Sequence, residues 1–355
     1  MPAGDDGRDL AEPLAAHRVD VSALAAYLQE HVPQIDNADA TMSIRQFRGG
    51  QSNPTYLLET GGEQYVLRKQ PPGELLPSAH AVDREFRVIA ALAGSDVPVP
   101  EALHYCADES VIGQVFYVMR YVKGRVFDDI TMAGCSPAER TAAYLSAADV
   151  LSKLHAVDFC AAGLETFGKP RDYVARQVSR WSRQYELSKT EECPAMDQLT
   201  AWLLANNPGD QRTSIVHGDY RPGNLIFAAT DMSVAAVLDW ELSTIGHPLA
   251  DLGYFLLPFH LDARVAGFSL RDQDLATLGI PGEQVLLDAY RANGAAIENI
   301  DYYIAFSLFR LAAILAGVLR RGIDGNASDP SAVERGRAYS LFAASGVRIM
   351  SEKRP

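Results

Sequence analysis

The chain has 355 residues, 48% hydrophobic and 22% charged, which is enough for about two globular domains with a sizeable core and excludes wholesale disorder. Its formal net charge of −13 argues against broad binding to nucleic acid or to an anionic membrane, but not against an anionic substrate held with Mg²⁺, because the metal supplies positive charge. The four cysteines form no Cys-x-x-Cys pair and the acidic N-terminus has no apolar core, so we expect a cytoplasmic protein without a disulfide framework, a zinc ribbon or a signal peptide.

The N-terminal third combines short β-rich runs with two helices. Residues 1–18 are polar and aperiodic, which predicts a loose tail. The glycine pairs Gly49-Gly50 and Gly61-Gly62 separate β-rich runs, which is a hairpin signal. The elements predicted by the pattern are a helix at Asp20–His31, strands at Met42–Phe47, Thr55–Glu59 and Gln64–Arg68, a helix at Ala81–Leu92, and a strand at Val115–Val122.

From residue 125 onward the pattern becomes mostly helical. The apolar stretch Ile304–Leu319 contains Arg310 and falls short of a membrane span, so we expect a buried helix and no membrane partner. The other predicted elements are helices at Ala138–His155, Tyr173–Leu187 and from Asp251 onward, and short strands at Ser214–His217 and Val234–Leu238.

Together these elements predict an α+β, bilobal chain with a ligand cleft between its lobes. The predicted parts are a tail over 1–18, a small β-rich N-lobe that binds nucleotide over 19–119, a connector over 120–124, and a larger helical C-lobe, catalytic and acceptor-binding, over 125–355.

The sharpest functional signal is His217-Gly218-Asp219-Tyr220-Arg221-Pro222-Gly223-Asn224, which matches the His-x-Asp-x-x-x-x-Asn catalytic loop of kinases. In such a loop the carboxylate accepts the proton of the attacking hydroxyl, and the amide oxygen five residues later holds Mg²⁺. A second signal is a buried-strand run that ends in Asp239, where kinases place a metal-binding aspartate. Taken alone, the first motif could be a polar loop with a helix cap, and Asp239 could be an ordinary turn residue. The two together favour Asp219, Asn224 and Asp239 as catalytic residues, the last two as Mg²⁺ ligands.

These motifs resemble those of the aminoglycoside phosphotransferase and choline kinase superfamily. Over about residues 42–325 the chain most resembles the kinase-like domains that are fused to acyl-CoA dehydrogenases; no dehydrogenase module is recognisable in it, so we expect no such activity. The resemblance implies a protein-kinase-like fold and phosphoryl transfer from ATP to a hydroxyl of a small molecule. The segments that carry it are Gly50–Tyr56, Tyr65–Lys69, Arg84–Phe86, His217–Leu225, Leu238–Glu241 and Gly246–Leu252.

The resemblance also implies which residues hold the triphosphate. The hairpin over 49–55 would cover the phosphates, although it departs from the protein-kinase Gly-x-Gly-x-x-Gly pattern and could be a plain turn. Its implied contacts are Gly50, the backbone N–H groups of Gln51 and Asn53, and the Ser52 hydroxyl.

Arg68 stands where kinases carry the lysine that grips the α- and β-phosphates. Strand alternation sends Arg68 and Lys69 to opposite faces, so only one of them can reach the nucleotide, and we favour Arg68. Glu85 is the expected ion-pair partner, and the backbone of Met119–Val122, through Arg120 and Val122, is expected to meet adenine. Alternatively, Arg68 could be an exposed charge on a strand, and Glu85 could be a solvated charge on a helix.

Three further polar residues near these motifs have expected structural roles. The resemblance implies that Asp251 braces the catalytic loop, and His217 is expected to brace it too rather than to act as an acid or base. His155, after an Ala/Leu-rich helix, is interpreted as a helix-end residue.

The acceptor is predicted to be a small molecule, since the chain lacks an Ala-Pro-Glu motif and a recognisable activation segment after Asp239. Arg176, Arg180 and Arg183 fall on one helix face, which is either a solvated surface or, together with Arg310, a sign of an anionic acceptor. The favoured acceptor is a hydroxyacyl-CoA or a hydroxy acid. The alternatives are an aminoglycoside, choline or homoserine kinase, and a nucleotide-binding pseudokinase scaffold. The oligomeric state stays open.

Overall fold

A computed structural model gives the fold and describes residues 10–35, 41–48, 53–73, 81–209, 212–265, 267–327 and 329–352. Its strands in chain order are β1 (Leu10–Ala11), β2 (Ser43–Phe47), β3 (Thr55–Thr60), β4 (Glu63–Lys69), β5 (Ala102–Cys106), β6 (Phe116–Arg120), β7 (Ser214–Val216), β8 (Leu225–Phe227), β9 (Val234–Val237) and β10 (Thr244–Gly246). Its helices are α1 (Val21–His31), α2 (Val82–Leu92), α3 (Pro137–Ala156), α4 (Tyr173–Ser188), α5 (Pro194–Ala205), α6 (Leu249–Leu256), α7 (Leu275–Leu278), α8 (Glu283–Arg291), α9 (Ile300–Ile323), α10 (Ala332–Arg337) and α11 (Tyr339–Ser351).

The chain forms two compact units, and one of them is discontinuous in sequence. Unit 1 comprises Met1–Val126 with Asn224–Ser243, and unit 2 comprises Phe127–Gly223 with Thr244–Pro355. The β8–β9 hairpin belongs to unit 1 because Phe227 and Arg125 exchange backbone hydrogen bonds and the Val237 N–H donates to the Pro98 carbonyl. This differs from the expected division, which gave all of 125–355 to the C-lobe.

Unit 1 is built on an antiparallel sheet with the strand order β1-β2-β3-β4-β6-β5. One face of the sheet buries alternate residues such as Tyr56, Leu58 and Leu67 in a core with Leu24 and Leu28 of α1. Within β4, the alternation therefore sends Arg68, the neighbour of Leu67, to the opposite face of the sheet.

The start of the chain is more ordered than its sequence suggests. Residues 1–9 lie outside the described residues, but β1 pairs with β2 through Leu10↔Phe47 and Ala11↔Gln46. The Tyr56 hydroxyl donates a 2.6 Å hydrogen bond to the His17 carbonyl. Tertiary hydrogen bonds thus hold residues 10–18, which corrects the expectation of a loose tail there.

Unit 2 is mostly helical and is organised around α9, which packs against α4, α5, α6, α10 and α11. This helix contains the stretch expected to be buried, and the structure confirms that expectation. Its length and apolar composition would also suit a membrane span, yet 72% of its most apolar window is buried inside the structure, as in core helices of soluble proteins. A short antiparallel pair of β7 with β10, through Ile215↔Ile245, leads into the loop that begins at His217.

Candidate functional site

In unit 1, Arg68 is the centre of a partly buried ion-pair network. Its Nη2 lies 2.8 Å from Asp239 Oδ1, and its Nε lies 3.0 Å from Glu85 Oε2. Glu241 Oε2 lies 4.0 Å from the same Nη2. Three sequence-distant segments, β4, α2 and the turn after β9, therefore bring one arginine against three carboxylates, and the side chain of Arg68 is only 12% exposed.

Glu85 is the most buried carboxylate of this network. Its Oε1 accepts a hydrogen bond of 2.8 Å from Asn53 Nδ2, and its Oε2 accepts one of 3.0 Å from the Tyr117 hydroxyl. Burial raises the pKa of Glu85 to about 7, although the Arg68 cation works in the opposite direction. The Nε–H of Arg68 is not aligned for a hydrogen bond with Glu85, so the two groups form an ion pair without that extra stabilisation.

Lys69 faces away from this network, as strand alternation requires. It is buried, and its Nζ donates a 2.8 Å hydrogen bond to Gln114 Oε1. Burial lowers the pKa of its ammonium group. Of the two neighbouring cations, Arg68 is the one that meets the carboxylates.

The β8–β9 hairpin brings Asn224 and Asp239 close together. Leu225 pairs with Val237, and the Leu238 N–H donates a 2.8 Å hydrogen bond to the Asn224 carbonyl. Asp239 follows directly, in the left-handed backbone region with φ at 64°. Aspartate tolerates that region better than most residues, and here it turns the chain away from the strand.

The oxygen donors in this part of unit 1 fit a magnesium ion. Ligand atoms of Glu85, Asp239 and Glu241 lie within 4.8 Å of one another, and the Asn224 amide belongs to the same hairpin as Asp239. Carboxylate and amide oxygens are the donors that hard divalent cations take, and Mg²⁺ needs only one or two protein carboxylates beside phosphate oxygens. Asp239 and Glu241 are the partly exposed members, with side chains 33% and 23% exposed.

The other residues expected to bind nucleotide belong to the hairpin over 49–55 and to the chain at the end of β6. Gly50, Gln51 and Ser52 lie outside the described residues. At the end of β6, the backbone N–H of Arg120 donates to the Glu101 carbonyl, and the side chain forms ion pairs with Glu101 and Glu63. Val122 follows β6 in the chain and is half-buried.

In unit 2, the loop that carries Asp219 is held by a buried aspartate. The carboxylate of Asp251 accepts hydrogen bonds from the backbone N–H groups of His217 at 2.6 Å and Gly218 at 2.9 Å. His217 Nδ1 in turn accepts the N–H of Asp219 at 3.2 Å. Both residues expected to brace the loop do so.

His155 takes part in this bracing, which its sequence position alone did not suggest. It lies in the last turn of α3, with Nε2 3.4 Å from Asp251 Oδ2 and Nδ1 2.7 Å from the Tyr290 hydroxyl. Burial would raise the pKa of Asp251, but the hydrogen bond from His155 and those from the loop backbone outweigh it and lower that pKa. The brace therefore stays ionised.

The carboxylate of Asp219 is partly exposed and has two polar neighbours. The Tyr254 hydroxyl donates a 2.5 Å hydrogen bond to Oδ1, and Arg221 Nε lies 3.4 Å from Oδ2. Burial raises the pKa of Tyr254 well above its usual value, and the Asp219 charge raises it further, so the phenol stays a hydrogen-bond donor. One carboxylate oxygen is thus held by a neutral donor and the other lies beside a cation.

The two groups of arginines singled out in the sequence have different surroundings. Arg180 and Arg183 are exposed on α4, where they line an open hollow of about 430 Å³ with Ala175, Arg176 and Ser179. Arg310 of α9 is half-buried, and its guanidinium carbon lies 6.0 Å from the centre of the Tyr254 ring.

Sequence reasoning missed several residues that contact the expected site. Glu241 follows Asp239 by two positions, so an acidic residue close to a metal ligand was the available signal. Tyr117 and Tyr254 carried no signal, because each reaches its carboxylate partner over more than 30 residues of sequence.

Comparison with known proteins confirms the resemblance. A sequence profile described as the phosphotransferase enzyme family matches residues 43–284. The human protein named acyl-CoA dehydrogenase family member 11 is 41% identical over 353 residues, which are 98% of this chain and 45% of that protein. The chain therefore spans less than half the length of the acyl-CoA dehydrogenase relatives that it matches.

Solved structures agree on the fold. A protein from Ralstonia eutropha, described provisionally as an aminoglycoside phosphotransferase, has a TM-score of 0.84 and 43% identity, with 95% of this chain and 100% of that chain covered. A thermostable mutant of an aminoglycoside phosphotransferase, solved with ADP and hygromycin B, has a TM-score of 0.60 at 16% identity, with 93% and 100% covered. The chain therefore belongs to the phosphotransferase enzyme family and has a kinase-like α+β fold, with a β-rich N-terminal unit and a helical unit.

Proposed function

We propose that this chain transfers the γ-phosphoryl group of Mg²⁺–ATP to a hydroxyl of a small molecule, and that this acceptor is a hydroxy acid or a hydroxyacyl-CoA. The observation that carries the proposal is the Arg68 network, in which a strand arginine meets both Glu85 of α2 and Asp239 after β9. A kinase-like nucleotide site requires that arrangement of a cation, its helix partner and a metal-binding aspartate.

The residues of unit 1 would hold the nucleotide. Asn224, Asp239 and Glu241 would offer oxygens for Mg²⁺, and a bound ion would supply positive charge against the triphosphate. The Arg68 guanidinium is kept in place by Glu85, and it can donate to two phosphate oxygens at once. Because Arg68 Nη2 donates a hydrogen bond to Asp239 Oδ1, this carboxylate would have to serve both the guanidinium and a bound metal ion.

Asp219 of unit 2 would orient the acceptor hydroxyl and accept its proton. The brace on Asp251 fixes the loop backbone, and Tyr254 fixes one oxygen of the carboxylate. Arg221, beside the other oxygen, supplies positive charge close to the site of transfer. Catalysis of this kind depends on placement and charge stabilisation rather than on a covalent intermediate with the protein.

Two observations support an acyl acceptor. The matched relative is named as an acyl-CoA dehydrogenase, so the part of it outside the match is expected to act on an acyl-CoA. A kinase in the same protein would then act on a related acyl compound. The guanidinium carbon of Arg310 lies 6.0 Å from the centre of the Tyr254 ring, and Tyr254 is hydrogen-bonded to Asp219. Arg221 Nε lies 3.4 Å from the other oxygen of Asp219. Cations at that position suit an acceptor with anionic groups better than a polycation such as an aminoglycoside.

The test is a transfer assay with Mg²⁺–ATP over a panel of acceptors: hydroxy acids, their CoA thioesters, choline, homoserine and kanamycin. We expect ADP release and a new phosphate-ester signal in ³¹P spectra with the hydroxy acids or the thioesters. The variant Asp219→Asn should lower the rate about 10²- to 10⁴-fold, the range for removal of a general base.

Two results would contradict the proposal in different ways. Efficient phosphorylation of kanamycin, choline or homoserine, with none of the acyl compounds, would replace the acceptor class. Nucleotide binding by the wild type without transfer to any acceptor would favour a pseudokinase scaffold.

A further inference from the structure

The helices α6 and α9 approach each other unusually closely beside Asp219. A Cβ atom on Gly253 would lie 2.5 Å from the backbone carbonyl carbon of Tyr303, so only glycine permits this approach. One turn later, the Ser307 hydroxyl lies 3.5 Å from the Ala250 carbonyl, at the limit of a hydrogen bond. Because residues spaced by three and four share a helix face, Arg310 continues the stripe of α9 that faces α6.

Arg310 is a half-buried cation in an otherwise apolar part of α9. In the part of the chain that the structure describes, no carboxylate oxygen lies within 4 Å of its guanidinium. Its guanidinium lies over the ring of Tyr254, with 6.0 Å between the guanidinium carbon and the ring centre. A ring at that distance offers only a weak cation–π attraction.

A cation in this position calls for an anionic partner. Partial burial of a charge costs free energy unless the charge is paired, and an uncharged side chain would pack on the same stripe without that cost. The Tyr254 ring on which Arg310 lies carries the hydroxyl that holds Asp219 at 2.5 Å. The side chain of Tyr254 therefore separates the Arg310 guanidinium from the Asp219 carboxylate, at which the acceptor hydroxyl would bind.

We propose that Arg310 determines acceptor specificity by binding an anionic oxygen of the acceptor, with the Tyr254 ring as the spacer between this contact and Asp219. The inference rests on the proposed function, since it places the acceptor hydroxyl at Asp219. The anionic oxygen comes either from the carboxylate of a free hydroxy acid or from the phosphates of a CoA thioester.

The test compares charged and uncharged acceptors of the same length. Steady-state kinetics are measured with hydroxy acids of four to eight carbons, with their primary amides and with their CoA thioesters, for wild type and for Arg310→Met. We expect Arg310→Met to raise KM about 10- to 100-fold for the charged acceptor, the loss typical of one charged hydrogen bond, and to leave KM for ATP and for the amide unchanged. Arg320→Met removes the same charge from an exposed turn of α9, where Arg320 pairs with Asp324, and should change none of these values.

The outcomes separate the inference from the function on which it rests. An effect confined to the free acids identifies the carboxylate as the partner, and one confined to the thioesters identifies the CoA phosphates; either supports the inference. Equal effects of Arg310→Met on acid and amide, or no effect on either, would overturn it while transfer by the wild type still upheld the proposed function. Absence of transfer by the wild type to every acceptor would instead overturn the proposed function.

Discussion

Glu85 should make the stability of unit 1 fall as the pH rises through the slightly acidic range. Its pKa in the folded chain is about 7, raised by burial from the ordinary value of 4.5. Between these two values the folded state holds a proton that the unfolded state releases, so the free energy of unfolding decreases with rising pH. The slope is close to 1 kcal/mol per pH unit, which gives about 3 kcal/mol over the whole interval.

The assay is urea unfolding of metal-free, nucleotide-free protein between pH 5 and pH 8, for wild type and for Glu85→Gln. Fluorescence of Trp240, which is fully buried in unit 1, reports this unit alone once Trp181 and Trp202 of unit 2 are replaced by phenylalanine. We expect the stability difference, wild type minus variant, to fall by roughly 1 kcal/mol per pH unit up to pH 7 and to level off above it.

A matched control is a carboxylate whose pKa is shifted in the opposite direction. Glu59, also in unit 1, has its pKa lowered, with the hydrogen bond from Gln64 as the largest cause. Its contribution is complete above its unfolded pKa, so Glu59→Gln should produce no slope between pH 5 and pH 7. Parallel curves for wild type and Glu85→Gln over this range would refute the reasoning, because they would mean that burial does not favour the protonated form of Glu85.

The two neighbouring cations of β4 should differ in function: Arg68→Lys should raise KM for ATP about 10-fold or more, because a point charge replaces a bidentate donor, whereas Lys69→Met should leave it within about twofold. Steady-state kinetics check this, and equal effects would contradict the assignment. The close approach of α6 and α9 should make Gly253→Ala destabilising by about 1–3 kcal/mol in thermal or urea unfolding, whereas Gly282→Ala, with open space at its Cβ position, should cost less than about 0.5 kcal/mol. Similar values for the two glycine variants would show that this approach is not tight.

Local patterns in the sequence were enough to predict part of the geometry within each unit. The interval from Asp219 to Asn224 is set by a single loop, and Asp239 follows a strand whose pairing with β8 is one short hairpin. Strand alternation was enough to separate Arg68 from Lys69, because the side-chain period of two depends only on the backbone. These parts of the site could be predicted because each depends on contacts within a few residues or on one regular element.

The parts that sequence could not predict depend on tertiary contacts. Strand β5 lacks a strong alternation, and β8 and β10 are three residues each, so their formation depends on partners elsewhere in the chain. The same holds for the ordered segment before α1 and for the bond from Tyr254 to Asp219, which joins residues 35 positions apart. Loops, short strands and long-range side-chain pairs carry little local signal because their stability comes from the packed structure.

In the proposed function, unit 1 binds Mg²⁺–ATP through Asp239 while Asp219 of unit 2 acts on the acceptor. Calorimetric titration with ATP, in the presence and absence of Mg²⁺, on wild type, Asp219→Asn and Asp239→Asn tests it most directly. We predict that the wild type binds ATP with a strong dependence on Mg²⁺, that Asp219→Asn keeps this affinity within about threefold, and that Asp239→Asn weakens the Mg²⁺-dependent affinity by at least about 10-fold. Binding that does not depend on Mg²⁺, or loss of binding in Asp219→Asn but not in Asp239→Asn, would contradict the account.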